Sequence, residues 1–255
     1  MSEQVARTAI ALALLLIAAL AVMTVGGLTY RRELVVASLR ALVQLTVVAL
    51  VIAWIFNHSE GAFLYLGLML LAASYTSNRR IGGDRRDWLW LLLAIFAGVA
   101  ATTSIVAITG AIDFSPQALL PFTAQMIGGA MSAASLSGVR LRQEVRTHFA
   151  EFEGYVSLGA SVRQAGREFS KHAAEQSLFT SLDQTKSAGL VTLPGAFVGL
   201  LLGGATPLLA AQIQLLVLIG LLLAQSITSV MTTRMISPLQ IPDVHKAARA
   251  VTATH

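Results

Sequence analysis

The chain contains no cysteine, which excludes a disulfide, a thiolate-held metal and a thiol nucleophile. Charge is scarce as well. Only 12% of the 255 residues are Asp, Glu, Lys or Arg, against about 25% in a soluble domain, so half of the expected solvated surface is missing. No Gly-x-x-x-x-Gly-Lys-Ser/Thr occurs, so the backbone cradle for nucleotide phosphates is absent. Ile81-Gly82-Gly83-Asp84 and Gly203-Gly204 lack the following lysine and read as turns. If ATP is used, a separate polypeptide must hydrolyse it, and this chain reads as non-catalytic. The interiors of its apolar runs lack Asp, Glu, Lys and His, with Asp113 at a boundary; this argues against the buried acidic relays of ion-coupled carriers. His58, His148, His172, His245 and His255 all fall outside those runs, so the sequence shows no transition-metal site and the metal ligands are unknown.

Apolar residues are abundant and contiguous. They make up 55% of the chain, and the mean hydropathy is +0.71. Residues 9–25, 34–56, 63–73, 88–108, 118–134, 190–202 and 208–227 form seven runs, most near the ~20 residues that a membrane span requires. The third and sixth reach that length only with small or polar neighbours such as Ser74, Thr76, Ser187 and Ala188. The expected fold is all-α: a polytopic membrane bundle of about seven transmembrane helices, one domain over residues 1–255. The first run exceeds a signal-peptide core, and Glu3 weakens the usual basic start, so it reads as a retained span.

The net charge of +5 comes from basic residues beside the runs, where they set topology rather than bind nucleic acid. Arg31-Arg32 follows the first run, and residues 78–87 after the third carry four arginines. Arg234, Lys246 and Arg249 follow the last. The connections around His58, Phe114 and Gly203-Gly204 carry no Lys or Arg. By the positive-inside rule the N-terminus is outside and the C-terminus cytoplasmic.

Residues 140–186 interrupt this pattern with about two-fifths of all the charge in the chain. Val139, Leu141, Val145, Phe149 and Phe152 continue a helical period, and Gly154 and Gly159 permit a bend. Ser161 with Gln164 three residues on reads as a capping box. Val162, Ala165, Phe169 and Ala173 form an apolar stripe after it. A helix, a tight turn and a second short amphipathic helix near the membrane surface are expected. The pattern does not separate a solvated hairpin that only closes the bundle, or an interfacial helix on lipid headgroups, from a docking element for a soluble partner.

Within the runs, Arg40 is the one charge, with Gln44 a turn further on. A buried charge costs at least ~2.5 kcal/mol and so wants a wet cavity or a partner. Arg40 is also within about two turns of Arg32, close enough to snorkel to headgroups. In the fifth run Gln125, Met126 and Met131 could line a pathway, whereas Gly128, Gly129 and Ser132 fit close helix packing. Leu193-Pro194-Gly195 marks an interrupted helix, and Pro194 could line a cavity or bend the helix for packing.

Glu153 and Gly159 at this spacing are similar to the Glu-Ala-Ala...Gly loop with which ABC-importer permeases dock onto their ATPase, with Gly154 and Tyr155 in place of the alanines. The longer string RLRQEVRTHFAEFEGYVSLGAS, then Asp183 and Lys186, then GLVTLPGAFVGLLLGGATPLLAAQIQ, resembles the FetB-type ABC permeases. That family includes bacterial iron-export permeases and plant relatives tied to aluminium tolerance. Arg40-Ala41-Leu42-Val43-Gln44-Leu45 fits it too, while Gly128-Gly129, Ala196-Phe197 and Ala211 depart from its Gly-Asn, Met-Met and Tyr.

The resemblance implies the permease subunit of an ABC transporter in the inner (plasma) membrane, paired as a homodimer with two ATPase subunits. ATP and magnesium would sit on that partner, with no cofactor in this chain, and iron or a related metal species would be exported. It assigns ATPase coupling to Glu151, Glu153, Gly154, Leu158, Gly159, Ala160 and Ser161, while the residues of the runs themselves offer Arg40, Gln44, Gln125, Met126, Met131 and Pro194 as a substrate pathway. A stand-alone secondary transporter or channel, and a membrane scaffold recruiting a non-ATPase partner, stay open on the residues alone.

Overall fold

A computed structural model of the chain describes residues 2–55, 61–113 and 115–235. The connection at 57–60, Phe114, Lys246 and Arg249 lie outside the described residues, as do His58, His245 and His255. The described chain is helical, with ten helices and a single isolated bridge between Ala188 and Thr192. It divides into two compact units, Met1–Ser59 and Glu60–His255.

The first unit holds α1 (Ser2–Val25) and α2 (Arg31–Ile55). At 1.5 Å per residue these are about 36 Å long, enough to cross a ~30 Å hydrocarbon layer. The N–H of Leu28 donates to the carbonyl of Met23 at 2.9 Å and that of Gly27 to Thr24 at 3.3 Å. This is a Schellman close with glycine at its left-handed position.

The second unit contains α3 (Gly61–Ile81), α4 (Arg85–Thr109), α5 (Pro116–Thr147), α6 (Phe149–Ser157), α7 (Val162–Ala165), α8 (Arg167–Ser187), α9 (Gly195–Leu202) and α10 (Pro207–Met235). Its core lies where α3, α4, α5 and α10 meet, around Ile95, Met126, Ala130 and Ala224. Small residues set the spacing of these helices. A Cβ on Gly98 would stand 2.4 Å from the Ala224 carbonyl oxygen, so only glycine admits this approach. Hydroxyls then join the helices: Thr228 donates to the Ala94 carbonyl at 3.2 Å, Ser77 to the Met131 carbonyl at 3.1 Å and Ser135 to Ser77 at 3.1 Å.

Four helices, α1, α2, α4 and α10, are long and apolar enough to cross a membrane by length and composition. The chain is thus a helical, multi-pass membrane protein. Of the about seven spans read from the runs these four are met by length and composition among the described residues, and the interruption read at Leu193-Pro194-Gly195 is present in the sixth run. Residues 190–202 supply only the eight-residue α9, about 12 Å long. Gly189 has a positive φ, and Pro194 precedes the helix without an N–H to give.

Residues 140–186 are also not wholly separate from the bundle. Ser170 donates to the Thr233 carbonyl at 3.2 Å, the Ser177 and Ser229 hydroxyls meet at 2.7 Å, and the Phe197 N–H donates to Gln214 at 3.1 Å. As the chain advances from 170 to 197 its partners on α10 recede from 233 to 214. Together α8 and α9 therefore form one broken path antiparallel to α10.

Candidate functional site: a polar cavity and a helical lobe

A cavity of about 490 Å³ lies between α5, α8 and α10. Each helix contributes one amide: Gln125 from α5, Gln184 from α8 and Gln225 from α10. Hydroxyls of Ser132 on α5 and of Ser177, Thr180, Ser181 and Thr185 on α8 complete the polar wall, and Leu218 and Leu221 supply apolar surface. On α8 the polar positions recur at spacings of three and four, so one helical face is polar. That face stands beside parts of α5 and α10 that belong to the apolar runs 118–134 and 208–227.

Two adjacent glycines shape the α5 wall. A Cβ on Gly128 would meet nothing within 4 Å, whereas one on Gly129 would stand 2.4 Å from a methyl of Leu221 and 3.1 Å from the amide nitrogen of Gln225. Gly129 thereby leaves room for Gln225. That side chain is only 6% exposed, and its Oε1 accepts no hydrogen bond.

The pathway residues expected from sequence separate. Gln125 lines the cavity. Met126 is fully buried in the core against Gly220, and Met131 packs beside that core partly buried. Pro194 borders a smaller cavity of about 260 Å³ with Gln214. Arg40 and Gln44 lie exposed on α2, in the other unit. Gln184, Gln225 and the α8 hydroxyls were not singled out from sequence. Their signals were the polar period of α8 and a glutamine near the end of the last apolar run, which also holds Gln212 and Gln214.

Beyond residue 140, α5 leaves the apolar core and enters a small lobe with its own centre. Leu141, Val145, Phe152, Ala165, Phe169 and Ala173 bury one another there. Phe149, Val156 and Val162 pack against this cluster, while Val139 is exposed. The expected second helix is split into the four-residue α7 and the 21-residue α8.

The turn between α6 and α7 is closed tightly. The Ala160 N–H donates to the Tyr155 carbonyl at 3.0 Å and the Gly159 N–H to Val156 at 3.0 Å, with Gly159 at φ +93°. A side chain at that φ is strained. The capping box forms as read: the Gln164 N–H donates to Ser161 Oγ at 3.3 Å, and the Ser161 N–H donates to Gln164 Oε1 at 2.8 Å.

Leu158 at the tip is 87% exposed, and Tyr155 is exposed beside it. The Tyr155 hydroxyl donates to Glu151 at 3.2 Å, and that carboxylate pushes the phenol pKa up. Glu153 is half-buried, while Gly154, Gly159 and Ser161 are exposed and Ala160 is partly buried.

Arg142 ties the lobe to the turn between α3 and α4. Its guanidinium donates to the carbonyls of Ile81 at 2.5 Å and Gly82 at 3.0 Å, the carbonyls that α3 leaves unpaired at its end. Burial pulls the Arg142 pKa down, and nearby Asp87 opposes that shift. Asp87 in turn accepts from the Asp84 N–H at 3.2 Å at the start of α4. Arg142 thus joins the lobe to the turn between α3 and α4.

The profile of the family described as "Uncharacterised protein family (UPF0014)" matches residues 6–239. "Protein ALUMINUM SENSITIVE 3" of Arabidopsis thaliana is 30% identical over 214 residues, 83% of this chain and 78% of its own. "UPF0014 membrane protein STAR2" of Oryza sativa subsp. japonica is 31% identical over 208 residues, 81% and 73% of the two chains. "Probable iron export permease protein FetB" of Escherichia coli (strain K12) is 26% identical over 232 residues, 90% of each chain. No solved structure matches.

Proposed function

The chain belongs to the UPF0014 family of membrane proteins, and from that premise we propose that it is the permease subunit of an ATP-driven exporter of iron or a related metal species. The observation that carries this reading is the lobe: a rigidly packed helical turn presents Leu158 and Tyr155 outward and is anchored by Arg142 to the bundle. A solvated loop has no need of an apolar knob on a fixed base, whereas a docking element does. The relative named as a probable iron export permease supplies the transport class and the cargo.

In this proposal α1 to α5, the broken α8–α9 path and α10 make seven crossings of the inner membrane. The basic turn after α3 and the lobe face the cytoplasm. Two copies pair with two ATPase subunits, which carry ATP and magnesium. The residues from Glu151 to Ser161 transmit the closing of the ATPases, and α5 and α8 pass the movement to the cavity. Within its own unit, α2 offers Arg40 and Gln44 to the cargo.

Affinity capture of the full chain from detergent-solubilised membranes tests the reading. Wild type should recover an ATPase bearing a Walker A sequence, and a Glu153→Lys, Gly159→Trp double variant should lose it while inserting normally. Absence of any ATPase with wild type would overturn the proposal and favour an autonomous transporter or a scaffold.

A further inference from the structure

Resting on the permease reading, we infer that the cavity between α5, α8 and α10 takes an uncharged, oxygen-rich solute bearing hydroxyl donors, either free or as the ligand shell of a metal ion, and excludes the bare cation. The wall chemistry leads there. Among the lining residues there is no Asp, Glu, Lys, Arg, His or Met. A transition-metal dication stripped of water would find neither the imidazole or sulfur donors it prefers nor a carboxylate to balance its charge.

Carboxamides and hydroxyls do suit a neutral polar solute, because each both donates and accepts. Gln125, Gln184 and Gln225 approach the space from three different helices, so a solute with several oxygens can be held from three sides. Gln225 gives the arrangement a polarity. Its Oε1 is an acceptor without a donor, on a side chain that is 6% exposed. A buried acceptor left unpaired is costly; Oε1 is shut off from the cavity in this rotamer, and turning the amide toward the space lets a hydroxyl of the solute satisfy it. The backbone also leaves space rather than filling it: Gly128 faces open volume, and Gly129 makes way for the amide of Gln225.

Equilibrium binding to the purified full chain in detergent, without ATPase, tests this with defined probes: kojic acid, its neutral tris-iron(III) complex, the corresponding maltol complex without free hydroxyls, and Fe²⁺ alone. Binding of a kojate probe, weakened about tenfold by Gln225→Leu, is the expected result; the arm that binds tells free solute from metal complex. The maltol complex should bind more weakly than the kojate complex and be indifferent to Gln225→Leu.

Gly128→Leu fills the same space from α5 and should block binding by itself, so the test survives if Gln225→Leu does not fold. Failure of both kojate probes, or Fe²⁺ binding that Gly128→Leu abolishes, would overturn the inference. Because no ATPase is present in this assay, that outcome is separate from a failed ATPase capture, which would overturn only the permease reading.

Discussion

On one side of α5 lies the polar cavity of about 490 Å³; on the side facing α3 and α4 lies another of about 470 Å³ lined by Phe63, Leu66, Leu70, Phe96 and Val99. The two differ little in size and greatly in chemistry. Helical periodicity on α5 sorts them: Gln125, Gly128 and Ser132 face one, while Leu119, Thr123 and Ile127 face the other. The second space offers a few hydroxyls and no amide, which suits hydrocarbon. The first offers hydrogen bonds on three sides. A void alone therefore says little about transport, and the side chains around it decide what can enter.

A matched pair of substitutions gives the largest contrast. A Cβ on Gly128 or on Gly67 meets nothing within 4 Å, so leucine at either position fills its cavity without colliding with the backbone. Gly128→Leu is expected to cut ATP-driven iron efflux from vesicles by more than about tenfold, a loss of over 1.4 kcal/mol in transition-state terms, with unchanged membrane yield. Gly67→Leu should leave efflux within about twofold. Equal losses from both would erase the functional distinction between the cavities.

Next in size is the lobe, which should alter drive but not what the polar cavity holds. Gly159→Ala places a side chain at φ +93° and should cost about 1–2 kcal/mol locally. Efflux and ATPase stimulation should fall together while probe binding stays at the wild-type level. Ser161→Ala removes the N-cap acceptor for Gln164 and should destabilise the turn by about 1 kcal/mol, seen as faster amide exchange in α7.

The smallest effect is expected at Tyr155. Its pKa is raised by Glu151, so the hydrogen bond favours the protonated phenol. That contribution is fully present below the ordinary tyrosine value near ~10 and is lost as pH climbs through the raised one. Ultraviolet titration should show the phenolate forming at higher pH in wild type than in Glu151→Gln.

Much of the fold could be read from the chain because long apolar runs encode membrane helices directly, as α1, α2, α4 and α10 show. The Ser161–Gln164 box and the Phe152–Phe169 cluster were legible for a similar reason, since caps and helical stripes depend on residues close in sequence. What escaped depends on contacts between distant segments. Residues 167–187 are polar enough to read as solvent-facing, yet Ser177 meets Ser229 and Ser170 meets Thr233, bringing α8 into the bundle. The same pairings make the cavity, so Gln184 and Gln225 could not be matched before the helices were placed. Met126 shows the opposite limit: its sulfur suggested a pathway, but its position is core.

Because the chain contains no cysteine, single thiols can report directly on water access to the two cavities. The measurement is labelling by a water-soluble maleimide of Ser132→Cys and Gln184→Cys against Ala100→Cys and Ser104→Cys, in membranes holding the transporter with and without ATP. Rapid labelling of the first pair, changed by ATP, with the second pair silent, is the result predicted for a wet transport cavity between α5, α8 and α10. Labelling of both pairs at the same rate and without response to ATP would contradict it.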